Sequence, residues 1–137
     1  SIGLSNFNVE RIRKAISVSS VPISNLQIEF HPFTHRKDLP EFCQKEHISL
    51  TAYSPLARGR VFDDNTMRRI ADKYDKSVAQ ISLKWLLQKG NIVIPKASSA
   101  EHLRDNMQVF DWELAREDVD AIDNIKSRQR LVDTRYT

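Results

Sequence analysis

The chain has 137 residues, 28% of them charged and 40% apolar, with a formal net charge of +3. A chain of this size buries roughly two-thirds of its unfolded surface, enough for one cored domain. No run approaches the roughly 18 apolar residues of a membrane span, and the mild charge is interleaved with no basic patch, so neither a membrane nor a nucleic-acid partner is expected.

The opening segment Ser1–Phe7 lacks a basic and then apolar leader, and Cys43 is the single cysteine, so no internal disulfide forms. Both features fit a reducing, cytoplasmic setting.

Ile2–Phe7 reads as a short strand. Asn8 is placed to cap a helix over Val9–Val18, with Val9, Ile12 and Ile16 on one face. Ser19–Ser24 is a loop, and Asn25–Phe30 is a second strand stopped by Pro32. Asp38 is positioned to cap a helix over Leu39–His47, with Leu39, Phe42 and Cys43 facing inward. Ile48–Tyr53 is a third strand, short and apolar enough to be buried on both faces of a parallel sheet. Pro55 ends it.

Leu56–Asp63 reads as a longer loop, followed by a helix over Asp64–Tyr74. Ser77-Val-Ala-Gln80 has the capping-box form and opens a helix to Gln88, with Gly90 as the residue just past its end. Asn91–Pro95 is the fourth strand. Ser98-Ser-Ala-Glu101 repeats the capping-box pattern before a helix to about Val109. A last helix covers roughly Arg116–Ile125, and Lys126–Thr137 is a polar tail.

Strand then helix, repeated four times, predicts parallel strands with right-handed crossovers. Two architectures satisfy that pattern: a small doubly wound open sheet, or half of a (β/α)8 barrel of about 250 residues. The only glycines are Gly3, Gly59 and Gly90, so the dinucleotide fingerprint Gly-x-Gly-x-x-Gly is absent.

Polar residues gather where strands end. Ser5 and Asn6 close the first, Gln27 lies within the second, Tyr53 and Ser54 close the third, and Lys96, Ala97 and Ser98 close the fourth. In parallel α/β folds that end receives ligands. Amide and hydroxyl groups with an aromatic face suit a neutral planar head, and a lysine beside a helix N-terminus suits phosphate. His31 and His35 do not form a metal motif, because Pro32 disrupts a shared helix face. No metal site and no catalytic serine elbow is expected.

Six segments carry a wider resemblance: Gly3–Asn8, Gln27–Pro32, Thr51–Leu56, Ile94–Ser98, Val109–Leu114 and Asp118–Asp123. In order and spacing they resemble the C-terminal half of the aldo-keto reductases. The resemblance implies half of a (β/α)8 barrel over residues 1–125, a tail over residues 126–137, and NADP or NAD as cofactor for carbonyl reduction. It implies that Ser5, Asn6 and Gln27 hold the nicotinamide carboxamide and that Tyr53 stacks on the ring. It implies that Ser54 and Leu56 belong to the loop over the pyrophosphate and that Lys96 approaches the ribose 2′-phosphate. Ala97, Ser98, His102, Asp105 and Asn106 fall in the adenosine-side segment.

Two positions depart from the family. Ala97 replaces a frequent serine, and His102 replaces a frequent arginine that pairs with the 2′-phosphate. A histidine offers no bidentate fork, so discrimination between NADPH and NADH is expected to be small. The family's Asp, Tyr, Lys and His tetrad belongs to the other half of the barrel, and none of its motifs occurs here. The expected partners are therefore the cofactor and either a second copy or a complementary N-terminal half. A non-catalytic nucleotide-binding or self-assembling module is the alternative.

Overall fold

The computed structural model describes residues 1–35 and 37–126. The tail expected over Lys126–Thr137 lies, beyond Lys126, outside the described residues. The strands are β1 (Ile2–Ser5), β2 (Ile23–Glu29), β3 (Ser49–Tyr53) and β4 (Ile92–Val93). The helices are α1 (Val9–Val18), α2 (Asp38–Lys45), α3 (Asn65–Tyr74), α4 (Val78–Gln88), α5 (Ala100–Met107) and α6 (Arg116–Asp123).

The strands form one sheet in the order β1-β2-β3-β4, every pair parallel. This order decides between the two architectures. A doubly wound sheet reverses direction at a switch point and carries helices on both faces. Here the order never reverses, and alternate side chains fall into two unlike sets. Leu26, Ile28, Leu50 and Ala52 are buried with Ile12, Phe42, Ile70, Ile81 and Trp85 from the helices. Of the other set, Ser5, Asn25, Gln27, Ser49 and Ile92 are exposed or half-buried, while Glu29 and Thr51 are buried at the strand ends. Among the described residues, helices thus cover one face only, as in a segment of a barrel wall.

Leu4, Ile28, Leu50, Ala52 and Val93 belong to the core beneath the helices or pack against it. The uncovered face is chiefly polar, with an Asn25 Nδ2 to Thr51 Oγ1 hydrogen bond of 2.9 Å. Ile94, just past β4, stays exposed at 45%.

Helix starts follow the capping residues. Asn8, Asp64 and Ser77 each accept a backbone N–H at the third residue on, and Ser77 with Gln80 completes the capping box. At α5 the cap falls one residue later than the pattern suggested: Ser99, not Ser98, accepts from the His102 N–H at 3.1 Å. At α2 Asp38 is not the cap but the first helical residue, where a carboxylate still favours the positive helix end.

Three helices end alike. His47, Asp75 and Gly90 adopt φ of 56°, 51° and 77°, and the next N–H reaches back to Cys43, Ala71 and Leu86 respectively. This is the Schellman arrangement, which satisfies carbonyls the helix leaves unpaired. Only Gly90 announces it by residue type. The segment read as a loop after β3 winds into 3-10 turns over Ala57–Asp63, burying Ala57 and Val61 against Phe33.

Candidate functional site at the strand ends

Parallel registration aligns the ends of the strands. Ser5 sits opposite Gln27, Gln27 opposite Thr51, and Glu29 opposite Tyr53. The chain then turns sharply. Asn6, directly after β1, has φ 58°, and its N–H donates to the Gln27 carbonyl at 2.9 Å. Ser54, directly after β3, has φ 51°. Left-handed backbone costs a non-glycine residue roughly 1–2 kcal/mol. Such conformations persist where surrounding structure holds them, and they cluster at ligand sites.

The Tyr53 hydroxyl donates to Asn6 Oδ1 at 3.0 Å. One bond therefore joins the ends of β1 and β3 across β2, with Gln27 between them. The loop after Tyr53 is held from below, where the buried Ser82 hydroxyl of α4 donates to the Pro55 carbonyl at 2.7 Å. Beyond it Ala57, Arg58 and Gly59 adopt φ of 48°, 51° and 92° in succession. A loop so constrained has a defined shape before any ligand arrives.

The sheet thus brings Ser5, Asn6, Gln27, Tyr53 and Ser54 to one rim, with Leu56 in the loop above. Lys96, Ala97 and Ser98 follow β4 on the same side of the sheet. Lys96 and Ser98 are exposed. His102 is exposed on α5, its Nδ1 3.4 Å from Ser98 Oγ. Asp105 is turned toward α4 instead. Its carboxylate accepts from Ser77 Oγ at 2.9 Å, and its carbonyl accepts from Gln80 Nε2 at 3.1 Å. With Ser77, Gln80 and Gln108 it lines an open polar cavity of about 390 Å³. Asn106 is half-buried on the same helix.

The rim also holds a pair that the sequence reading passed over. Glu29 and His31 are 4% and 0% exposed, and Glu29 Oε1 lies 3.0 Å from His31 Nε2. The Phe33 N–H donates to His31 Nδ1 at 3.2 Å, so Nε2 carries the proton and donates to Glu29. The signal was the alternation Gln27-Ile-Glu29-Phe-His31, which puts all three polar residues on the face away from the core.

Burial pushes the His31 pKa down and outweighs the opposing pull of Glu29. The folded protein therefore refuses a proton that the unfolded chain accepts near the ordinary histidine value of about 6.5. Stability is full above that value and declines as pH falls through it. Urea unfolding at pH 8 and pH 5 should show a larger loss for the natural chain than for His31→Gln. An equal loss in both would remove His31 from the acid response.

His35 diverges from His31. Its Nδ1 lies 3.2 Å from the Pro32 carbonyl and its Nε2 3.1 Å from that of Asp123, linking the turn after β2 to the end of α6. Among the described residues no group of three or more metal-ligating side chains converges. Cys43 is buried, and burial raises its thiol pKa to about 11, which makes it a poor nucleophile. No described helix is long and apolar enough to cross a membrane.

Four sequential β–α units with helices on one face and a polar rim at the strand ends define one half of a (β/α)8 barrel. The Aldo/keto reductase family model matches residues 1–127, and the chain belongs to that family. It is 37% identical to glyoxal reductase of Bacillus subtilis over 131 residues, covering 96% of this chain and 48% of the relative. It is 39% identical to aldose reductase B of Dictyostelium discoideum, covering 95% of this chain and 42% of the relative. Among solved structures, a Bombyx mori aldo-keto reductase in complex with NADP is 36% identical with a TM-score of 0.87 over 97% of this chain and 47% of its own. An aldo-keto reductase from a deep-sea metagenome library gives a TM-score of 0.91 at 32% identity, with 96% and 50% covered. The chain spans about half the length of the relatives it matches.

Proposed function

We propose that residues 1–125 form the cofactor-binding half of an NAD(P)H-dependent carbonyl reductase, with residues 126–137 as a tail. The observation that carries this reading is the Tyr53–Asn6 hydrogen bond, which gathers Ser5, Asn6, Gln27 and Tyr53 on one rim. Ser5, Asn6 and Gln27 offer the donors and acceptors that a carboxamide needs, and Tyr53 offers a flat face beside them. Ser54 and Leu56 start the preshaped loop over a pyrophosphate, and Lys96 supplies a point charge for a 2′-phosphate. Ala97, Ser98, His102, Asp105 and Asn106 border the adenosine side. The bound nicotinamide would supply the hydride for carbonyl reduction. This half positions that ring, and the acid that protonates the carbonyl oxygen belongs to the other half. The lone buried cysteine and the absence of a long apolar run fit a cytoplasmic protein.

The relatives support this reading. One solved relative is in complex with NADP and another with NADPH. A soybean relative is named as NAD(P)H-dependent. The absent tetrad favours a second reading, a nucleotide-binding or self-assembling module without catalysis. The two separate once a complementary half is present, since only the first then reduces an aldehyde.

The test is a fluorescence titration of the chain with NADPH and with NADH. Saturable binding is expected, weakened in Tyr53→Ala by the roughly 0.5–1.5 kcal/mol of an aromatic contact. NADPH and NADH should bind within a few-fold of each other. His102→Arg should favour NADPH by about 1.5–3 kcal/mol, the scale of a hydrogen bond to a charged group. Binding that ignores Tyr53→Ala would sink the proposed site, and an unchanged ratio in His102→Arg would remove position 102 from the phosphate pocket.

A further inference from the structure

His31 links the end of β2 to the loop that follows β3. After β2 the chain turns back on itself, and His31 and Thr34 exchange backbone hydrogen bonds of 3.3 and 3.0 Å. Within that turn the Phe33 N–H donates to His31 Nδ1 at 3.2 Å. The other ring nitrogen, Nε2, donates to Glu29 at 3.0 Å. Glu29, His31 and Phe33 are all buried. One imidazole thus ties the Phe33 backbone to a carboxylate on β2.

The Phe33 side chain is the floor of the loop. It packs with Ala57 and Val61, both fully buried, and with half-buried Leu56. Ala57 and Val61 belong to the 3-10 turns over Ala57–Asp63, which begin with the left-handed residues Ala57, Arg58 and Gly59. Among the described residues this cluster meets the main core only through the half-buried Val78 and Ile125. Small clusters of this kind lie under long loops, and they can open while the core stays folded. The bond from Ser82 Oγ to the Pro55 carbonyl anchors the start of the loop, not its far side.

The arrangement needs a neutral ring. Nδ1 accepts a hydrogen bond only while it carries no proton, and imidazolium has an N–H at both nitrogens. Protonation sets Nδ1–H against the Phe33 N–H, donor against donor, while Nε2 keeps its bond to Glu29.

We propose that His31 is a positioning residue for the loop over the cofactor. Its neutral ring seats Phe33 under Leu56, Ala57 and Val61, and its protonation unseats the loop and frees the pyrophosphate beneath it. Burial opposes the proton most, His35 in the turn and Arg60 in the 3-10 turns add to that opposition, and Glu29 on β2 favours the proton. The loop is therefore seated at neutral pH and opens below the ordinary histidine value of about 6.5.

The inference rests on the cofactor reading for its ligand, but the loop itself is measured without one. Amide exchange by mass spectrometry is followed at pH 8 and pH 5, each corrected for the intrinsic exchange rate. Protection over residues 56–63 should fall about fivefold or more at pH 5, the scale of a buried donor left without its acceptor. β2 and α4 should keep theirs. His31→Asn offers Phe33 an Oδ1 acceptor and takes no proton, so its loop should stay protected at both pH values. His31→Leu offers no acceptor, so its loop should be open at both. NADPH release, followed by stopped-flow fluorescence, should accelerate at pH 5 in the natural chain and not in His31→Asn.

Equal loop protection at both pH values in the natural chain would overturn the proposal, as would a fall shared by β2 and α4. Both readings come from the natural chain, so they hold even where a variant fails to fold. An equal fall in His31→Asn would assign the response to another group and overturn the proposal too, as would NADPH release that ignores an opened loop. Loop opening in a chain that binds no NADPH at either pH would remove the cofactor site yet leave the seating by His31 standing.

Discussion

Trp85→Ala is expected to cost about 3–5 kcal/mol of folding stability, the range for emptying a large aromatic site in a core. Trp85 is fully buried, stacked on Phe30 with ring centres 5.9 Å apart and edge-on to His35 at 5.4 Å. Its Nε1 donates to Asp123 Oδ1 at 2.8 Å, and Lys89 donates to the other oxygen of that carboxylate at the same distance. One side chain thus joins β2, α4 and α6. Removing it leaves a cavity and takes a donor from a partly buried carboxylate, and both effects destabilise. Domains of this kind hold only about 5–15 kcal/mol in all.

Trp112→Ala is the matched comparison. Trp112 is half-buried, with Tyr74 beside it and the Lys76 and Lys84 ammonium groups each 5.7 Å from its ring centre. Its loss should cost clearly less, since partly solvated cation–π contacts are worth about 0.5–1 kcal/mol each. Urea denaturation of the two variants measures the difference. A Trp85→Ala midpoint no lower than that of Trp112→Ala would show that α6 and β2 are held by other contacts.

The second expected result is the absence of aldehyde reduction by this chain alone. General acid catalysis typically contributes about 10²–10⁴-fold, and the chain carries none of the family's tetrad motifs. The measurement is the loss of NADPH absorbance with a generic aldehyde at high protein concentration. Turnover that survives repurification and disappears in Tyr53→Ala would overturn the assignment of chemistry to the other half. Turnover that appears only on adding a complementary half would support that assignment.

Much of the molecule was legible in the sequence because local chemistry settles local structure. Asn8, Ser77 and Gln80 mark helix starts through short-range hydrogen bonds, and Gly90 marks a helix end through its free backbone. His47 and Asp75 end their helices in the same way yet give no sign of it. Their left-handed conformation is imposed by the hydrogen bonds that Ile48 and Lys76 make to Cys43 and Ala71. The 3-10 turns after β3 were equally hidden, since Ala57 and Val61 are held there by packing against Phe33. At the rim, Ser5, Asn6, Gln27 and Tyr53 could be proposed one by one from their motifs. Their union through the Tyr53 hydroxyl and Asn6 depends on residues 47 positions apart.

The sequence by itself determined the order of strands and helices, the capped starts of α1 and α4, the parallel pairing and most of the polar residues at the strand ends. All of these follow from period, capping and turn chemistry within a few residues. Only the tertiary structure decided which side of each strand faces the helices. A period of two divides Leu26, Ile28, Leu50 and Ala52 from Asn25, Gln27, Ser49 and Thr51, but it does not say which set turns which way. The choice is made by the helices. Ile12, Phe42, Met67, Ile70, Ile81 and Trp85 need an apolar layer beneath them, and each strand can offer one on only one side.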